Sequence, residues 1–124
     1  MNWPQIAIVV TAIAMAFPSS SIAWEHECRE EAMDVFDLVM FSQEDGATRA
    51  YVSKQMMKER PYILRFDANE WNSFMSAVDA ALSAPKVPKE QRFDFAMDKA
   101  EIWKEACISD DVSIDVIDLL SSGW

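Results

Sequence analysis

QRFDFAMDKAEIWKEACIS, residues 91–109, is the stretch that decides the predicted fold. Its apolar residues recur at steps of three and four, which is the spacing of one face of an α-helix. That apolar stripe consists of Phe93, Met97, Ala100, Trp103 and Cys107. The acidic residues of the stretch fall mostly off the stripe. We therefore expect an amphipathic helix whose buried stripe ends in a cysteine.

The other cysteine of the chain, Cys28, lies on a matching stripe near the front of the sequence. That stripe consists of Cys28, Ala32, Val35 and Val39, with Phe36 and Met40 alongside. An even cysteine count in an exported chain favours a disulfide between Cys28 and Cys107. Two free thiols or an intermolecular bridge are weaker alternatives, because each cysteine lies on a buried stripe. The bond would close a loop of about 80 residues, worth roughly 4.5 kcal/mol on the chain-entropy model.

Residues 1–23 have the features of a signal peptide. An uncharged apolar run extends from Ile6 to Phe17, and Ser21 and Ala23 occupy the small-residue positions that precede a signal-peptidase cut. We predict cleavage between Ala23 and Trp24, which leaves residues 24–124 as a single domain in the periplasm or outside the cell. A retained anchor is less favoured, because the run is shorter than the about 20 apolar residues that span a bilayer. The mature chain is thus predicted to have no transmembrane segment.

The mature chain is predicted to be all-α, a bundle of four to five short helices held by one disulfide. Helical periodicity and capping residues place the other elements. The predicted elements are a helix from Glu25 to Glu44, a helix after Thr48 to Lys58, an extended connector from Tyr62 to Phe66, a helix that starts at Asp67 and ends before Pro85, the helix opened by Pro88, and a helix from Val112 to Leu120.

The formal net charge is -10, and all charged residues lie after the predicted signal peptide. Such acidity argues against nucleic acid or anionic lipid as the partner. The charge is unevenly distributed, because the middle of the chain is basic and both ends are acidic. The basic residues of the middle are Arg49, Lys54, Lys58, Arg60 and Arg65. We expect an acidic helix to pack beside this basic segment.

Several of these features together resemble small exported proteobacterial helical proteins of unassigned function. They are Cys28 with Ala32, the Asp-Gly-Ala-Thr turn at residues 45–48, Ala-Val-Asp before Pro85, a proline-opened helix, and the closing Cys107. The resemblance implies an all-helical, disulfide-clasped fold and carries no activity. The tail after Cys107 is longer than the resemblance leads one to expect.

The sequence lacks the motifs of several common chemistries. Its two glycines, Gly46 and Gly123, cannot form a glycine-rich phosphate loop, and Cys-x-x-Cys is absent. The one histidine, His26, leaves no obvious base for a nucleophile. We therefore predict no catalytic residue and no cofactor. An acidic helix start explains Asp110 and Asp111 more simply than a calcium loop does.

The leading prediction is a non-catalytic binding or interaction protein of the bacterial cell envelope, with a protein or envelope component as partner. The alternative is capture of copper or nickel at the mature N-terminus, Trp24-Glu25-His26. A terminal amine, two backbone amides and the imidazole there can form the square-planar nitrogen set that these metals prefer. An enzyme of unrecognised type is a third class. Trp124 either folds back onto the core or lies exposed as an interface residue.

Overall fold

A computed structural model describes residues 20–111 and 113–124 of the chain. Five α-helices and two 3₁₀ helices make up this part, and it contains no strand, so the all-α prediction is confirmed. The elements are α1 (Ser20–Gln43), α2 (Arg49–Glu59), the first 3₁₀ helix (Pro61–Arg65), α3 (Ala68–Ser83), the second 3₁₀ helix (Lys89–Gln91), α4 (Arg92–Ile108) and α5 (Val116–Ser121).

The two longest helices, α1 and α4, pack against each other in antiparallel directions. A disulfide joins Cys28 near the start of α1 to Cys107 near the end of α4, with 5.6 Å between the Cα atoms. At the opposite end of the pair, the Phe36 ring meets the Phe93 ring edge-on at 5.3 Å. The predicted disulfide is thus confirmed, and it fixes the register of the pair at one end.

The core lies where α1, α2 and α3 meet α4 and α5. Helix α3 packs against α1, α2 and α5, so that it occupies the middle of the bundle. The largest fully buried apolar side chains come from nearly every element: Leu38, Met56, Ile63, Phe74, Phe95 and Leu120. Burying a side chain of this size contributes about 1.5 to 3 kcal/mol. The core is therefore assembled from the whole described chain.

Two predicted helix starts are confirmed by their capping bonds. The Thr48 hydroxyl accepts a hydrogen bond from the Tyr51 amide at 3.1 Å and begins α2. Asp67 begins α3 with a capping box, in which its carboxylate accepts from the Glu70 amide while the Glu70 carboxylate accepts from the Asp67 amide. Both caps use residues three apart in sequence, which is why periodicity and residue type are sufficient to predict them.

The predicted extended connector from Tyr62 to Phe66 is wrong, because this segment forms the first 3₁₀ helix. Pro61 supplies a backbone angle that suits a helical first position. The Ile63 amide donates to the Arg60 carbonyl at 3.0 Å, and the Phe66 amide donates to the Ile63 carbonyl at 3.1 Å. This tight turn buries Ile63 and leaves its neighbours outside.

The predicted stripe of α4 is partly wrong in its phase. Ala100 and Cys107 are buried as predicted, but Phe93 is 58% exposed and Trp103 is only partly buried. Phe95 and its neighbours take the core position at the start of the helix. The reason is that α4 is covered on two sides, by α1 and by the tail of the chain, so its buried face is wider than one stripe.

The predicted fifth helix is shorter than expected and has a different cap. It begins at Val116, where the Asp115 carboxylate accepts from the Ile117 amide at 2.8 Å. Asp110 instead ends α4, with a φ of 55° in the left-handed region, and Asp111 binds Ser113 in the following turn. The predicted role of Asp110 and Asp111 as a helix start is therefore wrong. The predicted first residue, Val112, lies outside the described residues.

Most of the predicted signal peptide, residues 1–19, also lies outside the described residues. The remaining four residues form the first turn of α1, so the predicted cleavage point between Ala23 and Trp24 falls inside this helix. Cleavage and export stay predictions. In residues 20–111 and 113–124, no helix combines the length and the apolar character that crossing a membrane requires.

Candidate functional site

A buried carboxyl group contacts the disulfide. Glu31 lies on α1 one turn after Cys28 and is only 8% exposed. Its Oε2 atom is 3.4 Å from Cys107 Sγ. Its Oε1 atom is buried and has no hydrogen-bond partner among the described residues. A buried polar atom without a partner costs about 1 to 3 kcal/mol, so this arrangement calls for an explanation.

The environment of Glu31 favours its neutral form. The pKa of this carboxyl is raised from 4.5 to about 8. Burial is the main cause, and the negative charges of Asp34 and Glu27 add to it. The indole N–H of Trp103 opposes the rise, although it makes no hydrogen bond of ordinary geometry. Glu31 is therefore mainly protonated at neutral pH. Since a disulfide sulfur carries no hydrogen, the Glu31 O–H is the donor toward Cys107 Sγ.

Three potential metal ligands converge at this point. The sulfurs of Cys28 and Cys107 and a carboxylate oxygen of Glu31 all lie within 4.8 Å of one another. In the disulfide the two sulfurs are bonded to each other, so neither is a thiolate and neither can act as a strong metal ligand. In the oxidised protein, the disulfide and the protonated Glu31 thus form a buried, uncharged end of the helix pair.

A second polar cluster joins α1 to the start of the first 3₁₀ helix. Arg60 donates to Asp34 and, at 2.7 Å, to Asp37, and the Tyr62 hydroxyl donates to Asp34 at 3.2 Å. The Arg60 and Asp34 side chains are mostly buried. Burial raises the pKa of Asp34 to about 6, and Arg60 opposes this rise. These charged groups are paired with one another, so the cluster fixes two elements together. It also confirms the predicted pairing of an acidic helix with the basic middle segment.

Exposed apolar side chains surround this 3₁₀ helix. We call Tyr62, Leu64, Phe66 and Trp71 the aromatic edge. Leu64 is 70% exposed, and Tyr62 and Trp71 are also exposed. Rings in this group stack into the core, because Phe66 contacts both Tyr62 (5.8 Å) and the buried Phe74 (6.2 Å), and Trp71 contacts Phe74 at 5.5 Å. The aromatic edge is thus an apolar surface on a fixed base.

The C-terminal tail folds back onto α4. Lys99 Nζ is buried and donates to the carbonyl of Ser122 at 2.8 Å and to that of Leu119. Burial lowers the pKa of Lys99. The Trp124 ring contacts the Phe95 ring at 5.8 Å while much of it stays exposed. Trp124 therefore combines the two alternatives, since it folds back onto Phe95 and stays 61% exposed. Lys99 satisfies carbonyls at the end of α5.

The predicted N-terminal metal residues lie in the first turns of α1. The Trp24 indole N–H donates to the Ile108 carbonyl at 3.1 Å. The His26 imidazole lies 3.2 Å from the Glu30 carboxylate, and both side chains are largely exposed. Helical geometry does not place an amine, two amides and this imidazole in one plane. A square-planar site here requires the first turn of the cleaved chain to unwind.

The burial of Glu31 was not predicted, because the predicted stripe of α1 contained only Cys28 and apolar residues. The signal was present in the spacing. Glu31 follows Cys28 by three residues and precedes Val35 by four, so it lies on the same buried stripe. A glutamate is expected on the surface, but its position on this stripe buries Glu31 in the structure.

The chain matches no protein-family model, no curated protein and no solved structure. The resemblance to small exported proteobacterial proteins therefore stays a prediction, and function has to be argued from the geometry of these residues.

Proposed function

We propose that the chain is a small non-catalytic binding protein of the bacterial cell envelope, and that it holds a protein partner on the aromatic edge. The observation that carries this proposal is the exposure of Leu64, an apolar side chain that is 70% exposed on the same short 3₁₀ helix as the exposed Tyr62. Exposed apolar surface grouped in this way is typical of an interaction site.

The residue types of the aromatic edge support binding. Tyrosine and tryptophan are enriched at the centres of protein interfaces, because they offer large contact areas at low cost in side-chain entropy. Tyr62 lies with Leu64 on the first 3₁₀ helix, and Trp71 lies in the first turn of α3, which follows it. Covering the exposed part of each such side chain contributes in proportion to its apolar area, at about 25 cal/mol per Å².

The base of the aromatic edge is rigid, which lowers the entropy cost of binding. Arg60 ties the start of the 3₁₀ helix to Asp34 and Asp37 of α1. Ile63 anchors the middle of the same helix in the core. The capping box at Asp67 fixes the next helix directly after it. A partner would therefore meet a surface that is already in its binding shape.

A matched pair of exposed aliphatic residues tests this proposal. Leu64→Ser removes apolar surface at the aromatic edge, and Met33→Ser does the same on α1, where Met33 is 53% exposed. Affinity capture from an envelope extract should yield a protein that binds the unchanged chain and Met33→Ser. The same protein should be lost with Leu64→Ser. Equal capture by both variants would place the interface elsewhere and refute the aromatic edge as the binding surface.

Export belongs to the same proposal and has its own measurement. Protein recovered from the periplasm of a bacterial host should have the intact mass of a chain that begins at Trp24. Recovery of full-length chain in the membrane fraction would contradict cleavage. A disulfide that links the first and fourth helices supports an oxidising compartment, because such bonds persist outside the cytosol.

Metal capture at the mature N-terminus is the second candidate, and one observation favours it. His26 is largely exposed, so its imidazole is accessible to a metal. If cleavage follows Ala23, the amides of Glu25 and His26 belong to the first helical turn and have no intrahelical acceptor. These two amide groups are therefore free to act as metal ligands, although the first turn has to unwind to bring them into one plane with the imidazole.

Copper titration separates this candidate from background binding. Cu(II) added to the mature chain at neutral pH should give the visible absorption of a square-planar four-nitrogen complex. His26→Ala and a chain with one residue added before Trp24 are the controls. Copper binding of equal strength in both controls would eliminate the N-terminal site.

A further inference from the structure

The disulfide end of the helix pair contains a set of ligands that the oxidised protein does not use. Cys28, Glu31 and Cys107 offer two sulfurs and one carboxylate within 4.8 Å. Glu31 is only 8% exposed, and its Oε2 atom is directed at the sulfurs, 3.4 Å from Cys107 Sγ. A fully structural disulfide needs no carboxylate beside it, so the position of Glu31 points to a second state of the site.

We propose that reduction of the disulfide converts Cys28, Glu31 and Cys107 into a zinc-binding site. Two thiolates and a carboxylate are a ligand set that Zn²⁺ accepts, with a water or a further oxygen as the fourth ligand. Oxidation and metal binding then exclude each other, because the same two sulfurs serve in both states. The inference is independent of the aromatic edge.

The reaction is balanced with an external dithiol as the reductant. The dithiol transfers two electrons and two protons to the Cys28–Cys107 bond and becomes a disulfide itself. Zn²⁺ then displaces the protons of both thiols and of the Glu31 carboxyl, which are released to solvent. Of the two sulfurs, that of Cys107 belongs to the more accessible residue and is the point at which a dithiol attacks.

The backbone already has nearly the separation that zinc needs. Given Zn–S distances of about 2.3 Å, two sulfurs in a tetrahedral site lie roughly 3.8 Å apart. The Cα atoms of Cys28 and Cys107 are 5.6 Å apart. At this distance, side-chain torsions can place two thiolates on one metal ion. Glu31 lies one helical turn from Cys28, so α1 presents two of the three ligands from one face.

The test uses the full mature chain and Co(II) as a spectroscopic probe. The protein is reduced with dithiothreitol, freed of reductant without air, and titrated with Co(II) and then with Zn²⁺. The reduced chain should bind one Co(II), with thiolate-to-cobalt charge-transfer absorption and the visible bands of a tetrahedral site, and Zn²⁺ should displace it. The oxidised chain, which retains every other potential ligand, should show neither signal.

Glu31→Gln is the decisive variant, because it retains both thiols. It should weaken Zn²⁺ binding by about tenfold or more, since even partners outside the coordination shell cost about 10- to 100-fold. Glu30→Gln, one residue away and exposed, should bind as the unchanged chain does. Equal binding by Glu31→Gln and the unchanged chain would overturn the proposal, as would a folded reduced chain without the cobalt signal.

Circular dichroism covers the case in which reduction unfolds the chain. Zn²⁺ that binds the folded state stabilises it by mass action, so it should restore the helical signal or raise the Tm of the reduced protein. A reduced chain that unfolds and does not refold with Zn²⁺ would also overturn the proposal. No effect on the oxidised protein is expected, because its sulfurs are bonded to each other.

Discussion

Helix α1 buries a long polar side chain beside the disulfide and another at the end of the helix, and the two differ in how well they are satisfied. Near its end, Gln43 is 1% exposed, its amide N–H donates to the Pro85 carbonyl at 3.1 Å, and its oxygen accepts from the Val87 amide at 2.9 Å. Beside the disulfide, at what we call the Glu31 end of the α1–α4 pair, Glu31 keeps one oxygen without a partner among the described residues. Gln43 thus connects the end of α1 to the segment that follows α3, whereas Glu31 leaves one oxygen without a hydrogen bond.

The difference separates a structural role from a candidate functional one. A buried polar group with full hydrogen bonding fixes a unique packing arrangement. A buried group with missing partners destabilises the fold, so such a group is a candidate for a functional role. At the Glu31 end the missing partner is proposed to be a metal after reduction. Gln43 already has its partners within the chain, the Pro85 carbonyl and the Val87 amide.

Loss of the disulfide is the largest expected effect and tests how the Glu31 end is held. Cys28→Ala combined with Cys107→Ala should lower the free energy of unfolding by about 2 to 5 kcal/mol, because the bond closes a long loop in the unfolded chain. Denaturant unfolding measures the loss. Chemical reduction of the unchanged chain should produce a loss of similar size in metal-free buffer. A loss under about 1 kcal/mol would show that helix packing alone holds this end.

The second prediction is a pH dependence that belongs to the Glu31 end of the disulfide-bonded protein. The pKa of Glu31 is raised from 4.5 to about 8 on folding, so between these values the folded chain holds a proton that the unfolded chain has lost. Stability is therefore fully retained below the unfolded pKa and falls as pH rises toward 8. One such group contributes roughly 1.4 kcal/mol per pH unit.

Glu31→Gln removes this titration and should flatten the fall in stability between pH 6 and 8. Asp34, with its pKa raised to about 6, gives a slope of the same sign at lower pH in every variant. Glu30→Gln is the control and should keep the slope of the unchanged chain. Unfolding free energies at several pH values measure the effect. Identical slopes for all three chains would mean that Glu31 is ionised in the folded protein.

Local signals in the sequence predicted much of the fold. Thr48 and the pair Asp67 and Glu70 mark helix starts through residues three apart, and these interactions form without help from the rest of the chain. The disulfide was predictable from the two cysteines, because an exported chain with one pair of cysteines on buried stripes leaves few alternatives. Such features depend on sequence neighbours or on one unambiguous pair.

Features that depend on distant partners were missed. The segment after Pro61 alternates weakly in sequence, and its attachment to α1 depends on Arg60, which binds Asp34 and Asp37 about 25 residues away. Lys99 lies on a buried face because its charge meets carbonyls of the tail. The sequence ranks lysine and glutamate as surface residues, and only the tertiary partners reverse that ranking. The aromatic edge was also missed, because the exposure of its side chains depends on how the rest of the chain packs around them.

Removal of the Gln43 amide tests the satisfied end of the comparison. Gln43→Met keeps the length of the side chain but leaves the Pro85 carbonyl and the Val87 amide without their partner. The expected loss is about 1 to 3 kcal/mol, the cost of unsatisfied buried polar groups. This loss should be the same at pH 6 and pH 8, because an amide does not titrate. A loss that varied with pH would remove the contrast with Glu31.

The smallest predicted effect concerns the second attachment of the Glu31 end. The Trp24 indole N–H donates to the Ile108 carbonyl, so this ring ties the start of α1 to the end of α4 beside the disulfide. Trp24→Phe keeps an aromatic ring and deletes the donor, which should cost about 0.5 to 1.5 kcal/mol. Glu25→Gln, exposed on the same turn, should stay within about 0.5 kcal/mol of the unchanged chain. The measurement is denaturant unfolding of the oxidised proteins, repeated after reduction. This hydrogen bond does not depend on the covalent link, so the Trp24→Phe loss should persist in any reduced chain that still folds. A loss that disappears on reduction would show that the disulfide positions Trp24, and that the ring adds no attachment of its own.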